Sequence, residues 1–373
     1  MVGYIGILLL IVGGGMFIPK LSTNQRNKKI YMLLVFGAML LFALLRGENV
    51  GIDHANRYRT VRLLAGYDWK TFWQYLSLQT EEYGYKIAIW LMTRVFPSPY
   101  FVGLVWDTFI ITTFGIFFYR YSEDIVVTSL MYAAFVFSAE MNITRQYIAA
   151  AIFLWVIHAI LKKKYWRSVI LIVIAMLFHS SALILFGAYI LMAFRYRMTK
   201  KIFVVTVLVA VGGFLAFDSI SQWFVTIFPQ YENYLRGSWA VGDVSFSVLW
   251  LCIYSTLAIL AMVCLPKHAY DYDRSMGDDD QAYKMQSLVT FFFILYATTS
   301  LLTSKIWFVS RMNVYFIFAY CMIIPIVINR LKFIEKNTMR FFRGAFILGL
   351  SAWAVLMFRQ NGHGILPYEF FWN

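Results

Sequence analysis

Phe101-Val-Gly-Leu-Val-Trp-Asp-Thr-Phe-Ile-Ile-Thr-Thr-Phe-Gly-Ile-Phe-Phe-Tyr119 carries one charged side chain, Asp107, in an otherwise apolar or uncharged run. A run of that length matches the ~20 residues needed to cross a hydrocarbon core. Similar runs recur on both sides: Tyr4–Ile18, Ile30–Leu45, Ile125–Ser138, Ile143–Leu161, Trp166–Phe178, Ser181–Phe194, Ile202–Phe217, Phe246–Leu265, Ser287–Leu302, Asn313–Ile328 and Gly344–Met357. The chain of 373 residues is 61% hydrophobic and 14% charged, far from the ~45–50% apolar share of soluble domains. The expected fold is therefore an all-α polytopic membrane protein of about twelve transmembrane helices in one domain, residues 1–373, with re-entrant and interfacial helices added. No lysine or arginine precedes Tyr4, so the first run reads as a retained span rather than a secretory signal.

The basic residues set the expected topology. They cluster at Lys20, Arg26, Lys28 and Lys29, at Lys162, Lys163, Lys164 and Arg167, at Arg195, Arg197, Lys200 and Lys201, and at Arg330, Lys332, Lys336, Arg340 and Arg343. Basic loops stay cytoplasmic. The four clusters share one side only if Tyr85–Phe96, which contains Lys86 and Arg94 and stops at Pro97-Ser98-Pro99, is re-entrant or surface-lying rather than a crossing. Both termini and the polar stretch Ala43–Tyr85 then lie outside. Residues 218–245 form a second outer loop, and residues 266–284 form an acidic cytoplasmic loop.

Two outer segments read as amphipathic helices. Asp68 is expected to cap one with Trp69, Phe72, Trp73 and Leu76 on one face, and Asp218 another with Ile220, Trp223, Phe224 and Ile227 before Pro229. They lie on the membrane or pack on the bundle as loop helices. Polar residues gather at the outer span ends: Arg46 and Asp53, Asn142, Arg145 and Gln146, His179-Ser180-Ser181, and Arg311 with Asn313. Ionisable groups at membrane depth are costly, so their collection at one face points to a site there. Any one arginine at a span end is more simply a headgroup anchor. Arg145 is different, because Asn142 can cap the helix and leave free N–H groups beside the guanidinium as an anion site. A lone His179 between half-spans is commonly a satisfied polar group.

Other features carry less. Cys252, Cys264 and Cys321 lie in or beside apolar runs without metal or disulfide spacing. Asp278-Asp279-Asp280 reads as a solvated loop, and Gly13-Gly14-Gly15 and Gly212-Gly213 as close-packing positions. No metal or cofactor is indicated, and nothing points to nucleic acid.

Six motifs in order resemble the EpsG branch of the Wzy-type polysaccharide polymerases. They are Arg46-Gly-Glu-Asn-Val-Gly-Ile-Asp53 with Tyr58, Glu82 with Gly84-Tyr85, Asn142-Ile-Thr-Arg-Gln146 with Ala149-Ala150, Phe178-His-Ser-Ser-Ala182, Ser310-Arg-Met-Asn-Val-Tyr-Phe316, and Pro367-Tyr-Glu-Phe370. The resemblance spans nearly the whole chain. It implies a multi-pass enzyme of the bacterial inner (plasma) membrane that polymerises exopolysaccharide, capsule or O-antigen units carried on undecaprenyl pyrophosphate. Its partners would be that lipid-linked oligosaccharide, membrane lipid, a chain-length regulator and a flippase. The positions implied are Arg46, Asp53, Glu82, Arg145, His179 and Arg311. Ile52 departs from the small or hydroxylated residue expected there.

The chemistry follows from the residue types. Breaking an anomeric bond to pyrophosphate places charge on the leaving group, which Arg46, Arg145 and Arg311 would stabilise without a metal. The acceptor hydroxyl needs a base. His179 ranks first, as a buried imidazole favours its neutral form; Glu82 ranks second; Asp53, expected to pair with Arg46, would orient. Tyr58, Tyr85, Asn142 and Gln146 are the expected acceptor and sugar contacts. A lipid-oligosaccharide flippase would instead need charge at mid-membrane, where Asp107 and His158 are the buried candidates; an O-antigen ligase or membrane acyltransferase would also centre on a histidine. Only the polymerase makes a ladder of repeats.

Overall fold

The computed structural model describes residues 1–79, 82–193, 197–227, 232, 248–268, 280–306, 309–331 and 334–372. Glu81, Arg195, Pro229, most of the 218–245 loop, Asp278, Asp279, Lys332 and the Phe224 side chain lie outside the described residues. The chain divides into two units, Met1–Gly187 with Glu335–Asn373, and Ala188–Ile334.

The first unit holds α1 (Val2–Phe17), α2 (Gln25–Leu44), α3 (His54–Ala65), α4 (Trp69–Ser77), α5 (Tyr83–Val95), α6 (Pro99–Tyr121), α7 (Ile125–Phe135), α8 (Phe137–Asn142), α9 (Thr144–Leu161) and α10 (Tyr165–Phe178). A 3-10 turn, Ser180–Leu183, leads into α11 (Ile184–Ala193), and α17 (Lys336–Gln360) returns to this unit. The second unit holds α12 (Lys200–Leu215), α13 (Phe217–Ile227), α14 (Val248–Val263), α15 (Asp280–Leu302) and α16 (Ser310–Arg330). Among the described residues there is no strand, and the protein is an all-helical membrane protein. Among the described residues six helices are long and apolar enough to span: α2, α6, α9, α15, α16 and α17; taking α12 and α13 as one bent span gives seven. Twelve spans are not established: the Ile125–Ser138 run is divided between α7 and α8, and α1, α7, α10 and α14 are apolar but shorter.

Local chemistry explains the element ends. Asn24 accepts from the N–H groups of Arg26 and Asn27 at 2.9 and 3.2 Å and starts α2. Asp68 accepts from Thr71 at 2.8 Å, as expected for α4. That helix buries Phe72 and Leu76 while Trp69 and Trp73 stay exposed, so its apolar face is divided between packing and surroundings. Asp218 does not cap: it lies inside the first turn of α13 and pairs with Lys305 at 2.6 Å. Pro97-Ser98-Pro99 separates α5 from α6, with Ser98 as N-cap and Pro99 in the first turn. At 13 residues, α5 is about 20 Å long, short of the ~30 Å core.

Within the first unit α9 is central and α17 peripheral: 78% of the α9 span is buried against 22% for α17. Phe36, Phe114 and Tyr132 fill the space beside α6, with ring centroids 5.1 and 5.4 Å apart across Tyr132. Gly15 allows α1 to reach α7, since a Cβ there would lie 2.8 Å from Val126, and Gly14 faces Tyr31. At Gly212 and Gly213 an added Cβ would meet nothing within 4 Å among the described atoms. The cysteines are free, Cys252 exposed and Cys321 buried.

Contacts sort the first unit's helix ends into two groups. At one end the residues after α17 run along those after α2: Gly47 N–H donates to the Glu369 carbonyl at 2.8 Å, Gly51 N–H to Gly364 at 2.8 Å and Phe371 N–H to Leu45 at 3.0 Å. The other end joins Asp124 to Arg343 at 2.5 Å and Lys28 Nζ to the Ser122 carbonyl at 3.5 Å. Lys162–Lys164 follow α9 at this second, basic end.

The C-terminal strap turns at Gly364, where φ is +65° and a Cβ would meet Ile52 Cγ1 at 2.7 Å. A left-handed non-glycine residue costs about 1–2 kcal/mol. Gly364→Ala should lower stability by at least that amount, read as a drop in melting temperature in detergent. Adding Ile52→Ala should recover only the steric part.

Candidate active site

Nine of the ten predicted site residues lie in the first unit; Arg311 opens α16 in the second. Four of the nine form one array. His179 closes α10 in extended backbone, with φ −156° and ψ 122°, and its Nδ1 lies 2.8 Å from Glu82 Oε1. Glu82 Oε2 accepts from the Arg145 guanidinium. Gln146 Nε2 lies 2.9 Å from His179 Nε2. With the carboxylate accepting, the imidazole proton sits on Nδ1 and Nε2 is the nitrogen with a lone pair.

Packing dictates this meeting. Glu82 occupies the left-handed region at φ 61° as N-cap of α5, which turns its carboxylate back toward α9 and α10. Gly84 lets the first turn of α5 lie against the last turn of α10, because a Cβ there would fall 2.6 Å from Leu177 Cβ. Arg145 enters from the first turn of α9, its side chain 51% exposed, whereas Glu82 is 8% exposed. The Arg145 guanidinium lies 5.8 Å from the Tyr85 ring centroid, and Tyr85 stacks on Trp106 at 6.3 Å. Burial pushes the Glu82 carboxyl up, but the His179 hydrogen bond and Arg145 outweigh it and hold it below the ordinary carboxylate value.

A second cluster lies deeper. Arg46, Arg57 and Asp107 are all buried. Asp107 binds Arg46 at 3.0 Å and Arg57 at 3.5 Å. Arg57 also donates to Thr144 Oγ1 at 3.1 Å and lies 3.0 Å from His54 Nδ1. Burial first, then Arg57 and Arg46, lower the His54 pKa far below its usual value, so the ring is a neutral neighbour of the guanidinium. Two guanidiniums share one carboxylate, and Arg46 Nε, Arg46 Nη1 and Arg57 Nε are buried without hydrogen-bond partners. The cluster carries a surplus positive charge.

These contacts correct three expectations. Arg46 pairs with Asp107, not Asp53. Asp53 is exposed at the start of α3, because its N–H donates to Asn142 Oδ1 at 2.7 Å and fixes the loop with the carboxylate facing outward. Asn142 consequently does not cap α9, whose N-cap is Ile143 without a side-chain cap. Tyr58 and Tyr85 are 8% and 5% exposed, so neither presents an open ring face; Tyr58 packs on His54 at 4.9 Å. Asp107 and Thr144 are participants that the sequence reading left out of the site, whereas His54 and Arg57 belong to the polar stretch Ala43–Tyr85. Tyr83, beside Glu82 and 39% exposed, offers the aromatic face that the buried tyrosines lack. No group of three or more metal-ligating side chains occurs among the described residues.

The EpsG family model matches residues 29–370, from the start of α2 to the C-terminal strap. The chain belongs to the EpsG family. EpsG is a Wzy-like polymerase family, and membership covers both clusters of the first unit as well as Arg311. No curated protein and no solved structure matches the chain.

Removing one partner of a buried ion pair costs about 3–5 kcal/mol, whereas exposed substitutions usually change stability by less than about 0.5 kcal/mol. Asp107→Asn should therefore destabilise the protein strongly and Asp53→Asn hardly at all, as read by thermal unfolding. For Glu82, a lowered carboxyl contributes stability that is present above its unfolded value near ~4.3 and lost as pH falls through the lowered value. The acid-side stability loss of the wild type below pH ~4 should be smaller in Glu82→Gln.

Proposed function

We propose that this EpsG-family protein is a lipid-pyrophosphate-dependent glycosyltransferase that joins oligosaccharide repeat units carried on undecaprenyl pyrophosphate, at the extracytoplasmic face of the bacterial plasma membrane. The observation that carries the reading is the array Arg145–Glu82–His179–Gln146 at the end of the first unit opposite Lys28, Lys162–Lys164 and Arg343. Basic loops remain cytoplasmic, which supports an outer location for the array.

The growing chain leaves its lipid pyrophosphate and passes to a hydroxyl of the incoming unit. His179 Nε2 takes the hydroxyl proton as the hydroxyl oxygen bonds to the anomeric carbon, and the anomeric C–O bond to pyrophosphate breaks with its electron pair leaving on the pyrophosphate. Gln146 must yield Nε2 to the acceptor. Glu82 fixes the Nδ1–H tautomer and stabilises the imidazolium, so His179 and Glu82 act as one unit rather than as rival bases. Arg145, half exposed, meets the leaving group, and Arg311 is proposed as a pyrophosphate contact on its motif alone. Arg46 and Arg57 are too buried for contact and act through the surplus charge beneath the array, which favours a developing anion in a low-dielectric setting. Tyr83 offers a sugar-stacking face. Asp53, exposed beside Asn142, is the proposed acceptor orienter.

Purified protein given one lipid-linked repeat unit should produce a ladder of products. A single transfer to another acceptor, or transport without bond formation, would sink the polymerase reading. His179→Gln and Glu82→Gln should each lose ~10²-fold or more in rate and, combined, lose little further. Arg145→Lys should fall well below wild type because it loses the planar fork, and Arg145→Ala lower still. Cysteines at Asn56 and Arg59 should label from outside and one at Asn27 only from inside; the reverse pattern would remove the proposed side.

A further inference from the structure

We propose that the groove between the C-terminal turns of α6 and α9, at the basic end of the first unit, binds the phosphate headgroup of an anionic phospholipid. The groove is shallow and open to its surroundings, with Ile116, Phe117 and Leu154 as apolar walls and Arg120, Tyr121 and His158 at its polar head. None of these residues belongs to the array or to the Asp107 cluster.

The polar head holds a guanidinium with spare donors. Tyr121 Oη lies 2.5 Å from His158 Nδ1. Arg120 Nη1 lies 3.5 Å from His158 Nε2, a long contact that leaves the other N–H groups of the guanidinium for an outside acceptor. Arg120 has no carboxylate partner among the described residues. Its guanidinium instead lies 5.7 Å from the Trp155 ring centroid, and Trp155 Nε1 donates to Thr113 Oγ1 at 3.3 Å. The arginine is thus held at the rim of the groove. An oxygen placed against the outward N–H groups of Arg120 accepts from them, and a phosphate supplies it with the charge a guanidinium favours.

The apolar walls separate a lipid from a free ion. Ile116 is 40% exposed, directly below the cationic rim, where an acyl chain continues from a headgroup and a free phosphate would leave the wall uncovered. Lys163, Lys164 and Arg167 are exposed just beyond α9, and each basic side chain near an anionic surface adds attraction. Trp166, 75% exposed, is placed as interfacial tryptophans are.

The test uses the full chain in nanodiscs of equal phosphatidylglycerol and phosphatidylcholine, with retained lipids read by native mass spectrometry after release. Wild type should retain phosphatidylglycerol preferentially. Arg120→Gln should reduce the preference about fivefold, the scale of one basic side chain at an anionic surface, and Arg120→Lys should largely keep it. Ile116→Trp, which fills the groove without changing charge, should also lose the preference, an outcome that diffuse attraction to the lysines does not give. Millimolar inorganic phosphate should leave the lipid bound. Equal retention of the two lipids by wild type, an unchanged preference in Ile116→Trp, or displacement by phosphate would each overturn the proposal.

Discussion

Asp107 is the carboxylate that the site end of the first unit depends on. A guanidinium buried as deeply as Arg46 cannot remain charged without an acceptor, and a lone carboxylate in an apolar run is equally costly. Their pairing at 3.0 Å ties the end of α2 to the third turn of α6, and Arg57 ties α3 to the same carboxylate. Arg46 also forms the antiparallel bridge with Phe370. One buried ion cluster therefore fixes three helices and the C-terminal strap. Every group of the array above is placed relative to it, because Arg57 reaches Thr144 at the first turn of α9 and Arg145 is the next residue.

Much of this was legible in the sequence. Among the described residues the apolar runs are helical, since in a solvent without hydrogen bonds a helix satisfies every backbone group within its own segment. Glu82, Arg145 with Gln146, and His179, from three separate motifs, lie in contact in the structure. Span number was less legible, because an apolar run records composition whereas crossing depends on helix length, and α7 stops after 11 residues. Pairing was illegible too. Arg46 and Asp53 are seven positions apart in one loop, which suggested an ion pair, but Arg46 reaches 61 positions along the chain to Asp107. The signal for that was present: Asp107 is the lone charge in its run, and such a group calls for a partner. Reading it as evidence for or against a cargo path hid its use as a counter-ion.

Asn142 shows a different limit. An Asn shortly before a helical arginine reads as a cap by spacing alone. In the structure α8 runs through Asn142 itself, so the side chain is free to take the N–H of Asp53 at 2.7 Å. The cap rule concerns backbone geometry at one residue, and a short preceding helix shifts that geometry without leaving a mark in composition.

The array and the ion cluster divide the arginines by exposure, and this division has a chemical consequence. A buried guanidinium fixed to a carboxylate contributes a constant field, preorganised before any ligand arrives, and it needs no rearrangement as charge develops. An exposed guanidinium such as Arg145 can follow a ligand in and out but works through contact. Glu82 occupies the boundary between the two: one oxygen holds His179 and the other Arg145. A ligand that draws Arg145 away from Glu82 raises the electron density left for His179, since the carboxylate then serves one donor instead of two. Under the proposed function, leaving-group binding and base strength are coupled through a single side chain, so that the imidazole becomes most basic only when the pyrophosphate is in place.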